Sequence, residues 1–187
     1  MTAPCREFIC WRDLSENMDK DEYLKLHVNR KINEEEIKLL KHYASLIEDG
    51  GNILDVGTCE GGSAFALAIG SYPSVNIYTI DPTPNPRFLD HRLNLGFVEK
   101  VRLIQKKSQD ADWNLPIDLI FHDGLHTYEG VREDIEKYLP FLKKGNLCLF
   151  HDYTLYNNTI GKAINEGEGK HYKKLSVIDN IYIAEKI

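Results

Sequence analysis

The segments Ile117–Asp123 (IDLIFHD) and Asn146–Asp152 (NLCLFHD) end in the same Phe-His-Asp triplet, with the aspartates 29 positions apart. Each triplet closes a short apolar run of the kind that forms a buried strand. If the two strand ends meet, Asp123 and Asp152 offer two hard carboxylate oxygens to one ligand. Such a pair, with no thiolate beside it, favours Mg²⁺, Mn²⁺ or Ca²⁺ over a structural zinc ion. The bland alternative is that each aspartate only forms a turn or caps the next helix. His126 follows Asp123 by three positions, and an imidazole there can accept a proton near neutral pH.

A second chemical feature is the run ILDVGTCEGGSAFAL at 53–67. Gly57 permits a sharp turn after a strand, and Gly61 and Gly62 let a ligand approach backbone N–H groups where a helix begins. The dinucleotide pattern G-x-G-x-x-G would need a glycine where Cys59 stands, so a nicotinamide site is disfavoured. The next apolar run ends at Asp81 (NIYTIDP), where a carboxylate can accept from a ribose diol or merely form the turn before Pro82.

These groups need a frame, and the sequence supplies one. Asn33 and Glu36 form a capping-box-like start to a helix whose Ile37, Leu40, Ala44 and Ile47 share a face, with glycines at 50–51 ending it. Strands are then expected at 52–56, 76–80, 101–105, 117–122 and 146–150. They alternate with helices at 61–70, 86–96 and 128–142, the last distorted by Pro140. A helical turn or two at 159–167 and a C-terminal hairpin (173–177 and 181–186) complete the chain. Apolar strands alternating with helices imply a mostly parallel, seven-stranded sheet between two helical layers, a Rossmann-like αβα sandwich with an antiparallel C-terminal hairpin. Ligands of such sheets bind beyond the carboxyl ends of the strands, where every group named above lies. Residues 1–30 show no clean period and are expected to form an N-terminal arm or lid, with the domain proper at 31–187.

The net charge of −6 and the lack of a Lys/Arg stripe argue against nucleic acid as a partner. No apolar run is long enough for a membrane span, and no secretory signal is apparent. Cys5, Cys10, Cys59 and Cys148 form no CxxC pair and are expected to be reduced thiols. A cytoplasmic enzyme acting on a small molecule is the expectation, with a homo-oligomer left open.

From about residue 31 onward the motifs resemble class I S-adenosylmethionine-dependent methyltransferases. DVGTCEGGS is similar to their motif I and Asp81 to their motif II acid. KKSQDADW (106–113) is similar to the adenine-contacting segment of catechol-type O-methyltransferases. The stretch 117–153 resembles small bacterial enzymes of the macrocin O-methyltransferase type. The resemblance implies that Gly57, Thr58 and Gly61 line the methionine part of S-adenosylmethionine, with Ser63 beside its carboxylate. It also implies Asp81 at the ribose, Ser108 and Gln109 at the adenine, and Asp123 at the methyl-transfer end. These families hold a divalent ion, Mg²⁺ foremost, with acids at the positions of Asp123 and Asp152. The third ligand is open: catechol-type enzymes carry an asparagine where Tyr153 stands, and macrocin types carry an acid where His151 stands. His151 is the remaining candidate, although a strict strand pleat would turn it away from Asp152. His126 stands where catechol-type enzymes have a basic lysine.

The function expected is metal-assisted O-methylation of a small hydroxylated acceptor, either a sugar, a natural product or a catechol-like ring. Asp123 and His126 would be the reacting-site groups. The alternatives are a metal-independent methyltransferase and a non-catalytic cofactor-binding module.

Overall fold

A computed structural model describes residues 18–187. The expected arm is therefore described only from residue 18, and Cys5 and Cys10 lie outside the described residues. Helix α1 (Lys20–His27) starts at Asp19, whose carboxylate accepts from the N–H groups of Asp21 and Glu22. Its Tyr23 and Leu24, with Val28 just beyond, are buried in the main core. Helix α2 (Glu34–Ser45) has the full capping box: Asn33 accepts from the Glu36 N–H, and Glu36 accepts from the Asn33 N–H.

The sheet contains β1 (Asn52–Val56), β2 (Asn76–Ile80), β3 (Val101–Ile104), β4 (Ile117–His122), β5 (Leu142–Phe150), β6 (Tyr172–Ile178) and β7 (Ile181–Lys186). Their spatial order is β3-β2-β1-β4-β5-β7-β6. The first five strands are parallel, and β7 runs antiparallel to both β5 and β6. The seven strands and the antiparallel hairpin are as expected. The pairs β1–β2 and β1–β4 place the point of reversal at β1, whose carboxyl end carries Gly57.

The central strands send alternate residues to two cores, because side chains alternate across a pleat. Ile53, Leu119, Phe121 and Leu149 meet α1, α2, α3 (Gly62–Gly70) and α4 (Arg87–Asn94) on one face. Leu54, Val56, Ile120, Cys148 and Phe150 meet α5 (Tyr128–Tyr138) and α6 (Lys162–Gly167) on the other. Each fully buried Leu, Ile or Phe here contributes roughly 1.5–3 kcal/mol relative to exposure. Pro140 acts more strongly than expected. Helix α5 stops at Tyr138, residues 139–141 form a 3₁₀ turn, and Leu142 opens β5 four residues before the expected start.

Candidate active site

The glycine loop between β1 and α3 is held in shape by backbone. Gly57 has φ +104, and its N–H donates to the Ile80 carbonyl at 2.9 Å. A Cβ at Gly57 would stand 2.0 Å from the Asp123 carbonyl oxygen, so only glycine lets the β1 and β4 ends pass this closely. Asp81, at the end of β2, accepts from the N–H groups of Thr58 (3.1 Å) and Cys59 (3.0 Å) with one oxygen and of Thr83 (2.8 Å) with the other. The oxygen bonded to Thr83 keeps a lone pair for an incoming diol, whereas the other already accepts two bonds.

Below this loop lies a carboxyl that the sequence reasoning passed over. Asp55 is fully buried in β1 and accepts from the Thr79 hydroxyl at 2.6 Å. Thr79 in turn meets the Thr58 hydroxyl at 2.6 Å. Among the described residues the other Asp55 oxygen has no hydrogen-bond partner. Burial pushes the Asp55 carboxyl up to about 7, against the Thr79 hydrogen bond and the nearby Ser63 hydroxyl. Thr58 and Ser63, expected at the methionine end, are both buried, and the Thr58 hydroxyl is engaged inward on Thr79. Gly61 has φ +95 and fits its loop against the rings of Phe65 and Phe88.

On the adenine side, the 3₁₀ turn Ser108–Asp110 is pinned to α5. Tyr138 donates to the Ser108 carbonyl at 2.5 Å, Lys137 to the Gln109 carbonyl at 2.7 Å, and Gln109 to Asp134 at 3.1 Å. Asp134 also holds His122 at 2.8 Å. A cleft of about 470 Å³ runs along Gly57, Asp81, Ser108, Gln109, Asp123 and Gly130. Its size is ordinary for a cofactor site.

A second hollow, about 430 Å³, shares Gly57, Asp81 and Asp123 with this cleft and adds His126, His151 and Asp152. The parallel β4–β5 register pairs His122 with Phe150, so both Phe-His-Asp triplets end at one edge of the sheet. Asp152 has φ +58, a left-handed turn that breaks the pleat. His151 and Asp152 therefore both reach Asp123, which resolves the geometric objection to His151. Its Nδ1 lies 3.2 Å from Asp123 and 3.4 Å from Asp152, and its Nε2 lies 3.0 Å from buried Glu36 on α2. Burial opposes charge on this ring, but the carboxylates of Asp123 and Glu36 outweigh it and carry the imidazole up to about 10.

His126 Nε2 stands 3.4 Å from Asp123 and 3.2 Å from Asp152. The hydrogen bond to Asp123 raises its pKa against partial burial. Burial acts to raise the Asp123 carboxyl, yet hydrogen bonds from His126 and His151 hold it below the usual range. Ligand atoms of Asp123, His126 and Asp152 all lie within 4.8 Å of one another. The His126 ring stacks on Tyr156 at 4.8 Å. The Tyr128 hydroxyl donates to Glu166 and the Tyr153 hydroxyl to Asn165.

Glu60, also passed over, ties the glycine loop to its surroundings. Its buried carboxylate accepts from the Asn29 N–H at 2.9 Å and from Asn85 at 3.1 Å, and His91 lies 3.7 Å away.

A family model described as a methyltransferase domain matches residues 54–153, from β1 to just past Asp152. The chain belongs to this methyltransferase family. Its fold and motifs are those of class I enzymes that use S-adenosylmethionine, and the Gly57–Asp81–Gln109 cleft fits that donor. Among curated relatives, the methyltransferase is 27% identical over 148 residues to the proposed cobalt-precorrin-6B C(15)-methyltransferase (decarboxylating) of Thermoplasma volcanium, covering 78% of this chain and 71% of that protein. Among solved structures it resembles a candidate caffeoyl-CoA O-methyltransferase from Staphylococcus aureus, with TM-score 0.71, 20% identity and coverage of 94% and 96% of the two chains. It also resembles an rRNA methylase from Streptococcus thermophilus, with TM-score 0.65, 18% identity and coverage of 84% and 99%. The described residues contain no helix long and apolar enough to cross a membrane.

Proposed function

We propose that this methyltransferase moves the methyl group of S-adenosylmethionine to a hydroxyl oxygen of a small acceptor, with a divalent cation, Mg²⁺ foremost, at Asp123 and Asp152. The observation that carries this is the meeting of Asp123, His126 and Asp152 in a hollow that opens from the cofactor cleft. The donor pair fits a hard cation, because Asp123 and Asp152 offer two carboxylates with no thiolate beside them. Such a cation would lower the pKa of a hydroxyl bound beside it.

The chain's own groups would do the rest. The glycine loop and Asp81 hold the donor, and the pinned turn at Ser108–Gln109 fixes its far end, so that catalysis comes largely from alignment. His126 takes the hydroxyl proton on Nε2. The acceptor oxygen then bonds the methyl carbon as the C–S bond breaks, leaving S-adenosylhomocysteine. His126 is partly exposed and returns its proton to solvent. His151 has both ring nitrogens directed at carboxylates, so we assign it to orienting Asp123 rather than to binding the cation. Exposed Leu125 and Tyr156 flank His126 and suit an acceptor with an apolar or planar face, such as a catechol-like ring or the face of a sugar. The fit to the candidate caffeoyl-CoA O-methyltransferase supports the choice of oxygen.

A metal-independent form of the same reaction has one observation in its favour. The imidazoles of His126 and His151 already lie between the carboxylates that a cation would neutralise. Methyl transfer to a panel of catechols and sugars, run with Mg²⁺ and with EDTA, separates the two forms. Loss of transfer in EDTA, restored by Mg²⁺, is expected. Full transfer in EDTA overturns the cation role, and transfer only to nitrogen or carbon acceptors overturns O-methylation.

A further inference from the structure

We propose that Asn180, in the turn of the C-terminal hairpin, is the positioning residue that sets Asp152 in its working orientation. This rests on the reading of Asp152 as a site carboxylate.

The placement follows from strand register. Strand β7 pairs antiparallel with β5, with Leu149 opposite Ile183 and Phe150 opposite Tyr182. Continuing that register two residues past Phe150 brings Asp152 opposite Asn180. Both residues are buried, at 8% exposure each. Asn180 Nδ2 donates to Asp152 Oδ1 at 2.7 Å. Its Oδ1 accepts from the N–H groups of Thr154 (3.0 Å) and Leu155 (3.3 Å) and from the Thr154 hydroxyl. Its backbone carbonyl accepts from the Tyr153 N–H at 3.2 Å. One residue therefore engages each of the four positions 152–155.

That grip answers a specific need. Asp152 sits at φ +58, a conformation that L residues with a side chain adopt at a cost and hold only when their surroundings enforce it. Asn180 bonds the strained residue and the three that follow. It occupies Oδ1 and leaves Oδ2 directed at His126, 3.2 Å away. An amide suits the task because it must donate to a carboxylate and accept from N–H groups at the same time. Aspartate would set two anionic oxygens against each other, and leucine would take away the partner of Asp152 Oδ1 and of the N–H groups of Thr154 and Leu155. The neighbouring Asp179 bonds Asn33 at the cap of α2, which anchors the turn from the other side.

The test uses the full chain carrying Asn180→Ala, with Thr154→Val as the control that removes a contact from the same loop without touching Asp152. Mn²⁺ affinity is read from the paramagnetic resonance signal of the free ion, and S-adenosylhomocysteine affinity by calorimetry. Residues that orient metal ligands typically contribute about 10–100-fold in affinity, so Asn180→Ala should weaken Mn²⁺ by at least about 10-fold. The S-adenosylhomocysteine affinity of Asn180→Ala should be retained, and Thr154→Val should retain both affinities. A merely structural role would lower the melting temperature and leave the ratio of the two affinities unchanged. Unchanged Mn²⁺ affinity in Asn180→Ala overturns the proposal. If the wild-type protein binds no Mn²⁺, the cation reading falls by itself. Crystal structures of wild type and variant then decide: Asp152 leaving its left-handed conformation supports the role of Asn180, and an unmoved Asp152 overturns it. Should Asn180→Ala not fold, Asn180→Ser keeps a polar turn but cannot span both contacts, and it is read in the same way.

Discussion

Replacing Asp55 with asparagine should flatten the dependence of stability on pH. In the folded protein burial lifts this carboxyl from 3.8 to about 7. A carboxyl raised on folding binds its proton more tightly in the native state than in the unfolded one. The group's contribution is therefore fully present below pH 3.8 and is lost as pH rises towards 7, reaching its floor above that. With those two values, linkage gives a loss of roughly 2 kcal/mol by pH 5 and roughly 4 kcal/mol by pH 8. The difference, roughly 2 kcal/mol, is the most that Asp55 can contribute to the slope across that window. Asparagine keeps an oxygen for the Thr79 hydroxyl and does not titrate. Urea unfolding of both proteins at several pH values reads the effect. At roughly 2 kcal/mol per molar urea, the gap between the two midpoints should shift in favour of Asp55→Asn by about 1 M from pH 5 to pH 8. Titrations elsewhere, including those of His126 and His151, cancel in the difference. Parallel profiles for the two proteins across this range would refute the argument that Asp55 is a strongly raised acid.

Other consequences are as direct. Gly57→Ala should lower stability by about 1–3 kcal/mol and weaken S-adenosylhomocysteine binding, because its Cβ would meet the Asp123 carbonyl at a backbone angle that alanine resists; thermal melting and calorimetry read both effects. His126→Ala should lower methyl transfer about 10²–10⁴-fold with cofactor affinity retained, as a steady-state assay with an accepted hydroxyl substrate would measure. Glu60→Gln should weaken cofactor binding by turning an acceptor into a donor against the Asn85 amide. Adding Asn85→Asp should restore it, and calorimetry that finds no recovery would refute the tie between the two loops.

The framework was legible because short-range signals agreed with the global fold. Strand patterns at 52–56, 76–80 and 117–122 appear with the expected bounds, and the Asn33–Glu36 box caps α2 as the sequence predicts. What the sequence concealed are the second uses of the same groups. Glu36 reads locally as a cap, and nothing near it signals that its other oxygen meets His151, 115 positions away. Asp55 lies in a strand as one acid among apolar residues, and its isolation depends on β2 and α3 closing over it. Asn180 reads as a turn residue until the antiparallel register of β7 on β5 brings it to Asp152. The orientation of His151 hung on the backbone angle of the residue after it, which alternation alone cannot supply. At the start of β5, Pro140 ended its helix earlier than the apolar spacing suggested.

The place of β7, between β5 and β6, has a consequence for how the protein is made. Strands β1–β4 can pair as they are synthesised, each beside a neighbour already present. Strand β5 leaves the ribosome before β6 and β7, and it gains its outer neighbour only when the hairpin folds back. Until then Asp152 lacks Asn180, and the Asn33–Asp179 link, spanning 146 positions, is open. Contacts so distant in sequence form late and slow folding. A nascent chain halted before β7 would carry the donor cleft of Gly57, Asp81 and Gln109 but not a finished transfer site. Emergence of β7 would therefore precede catalytic competence, and chains that lack it would hold the cofactor without transferring its methyl group.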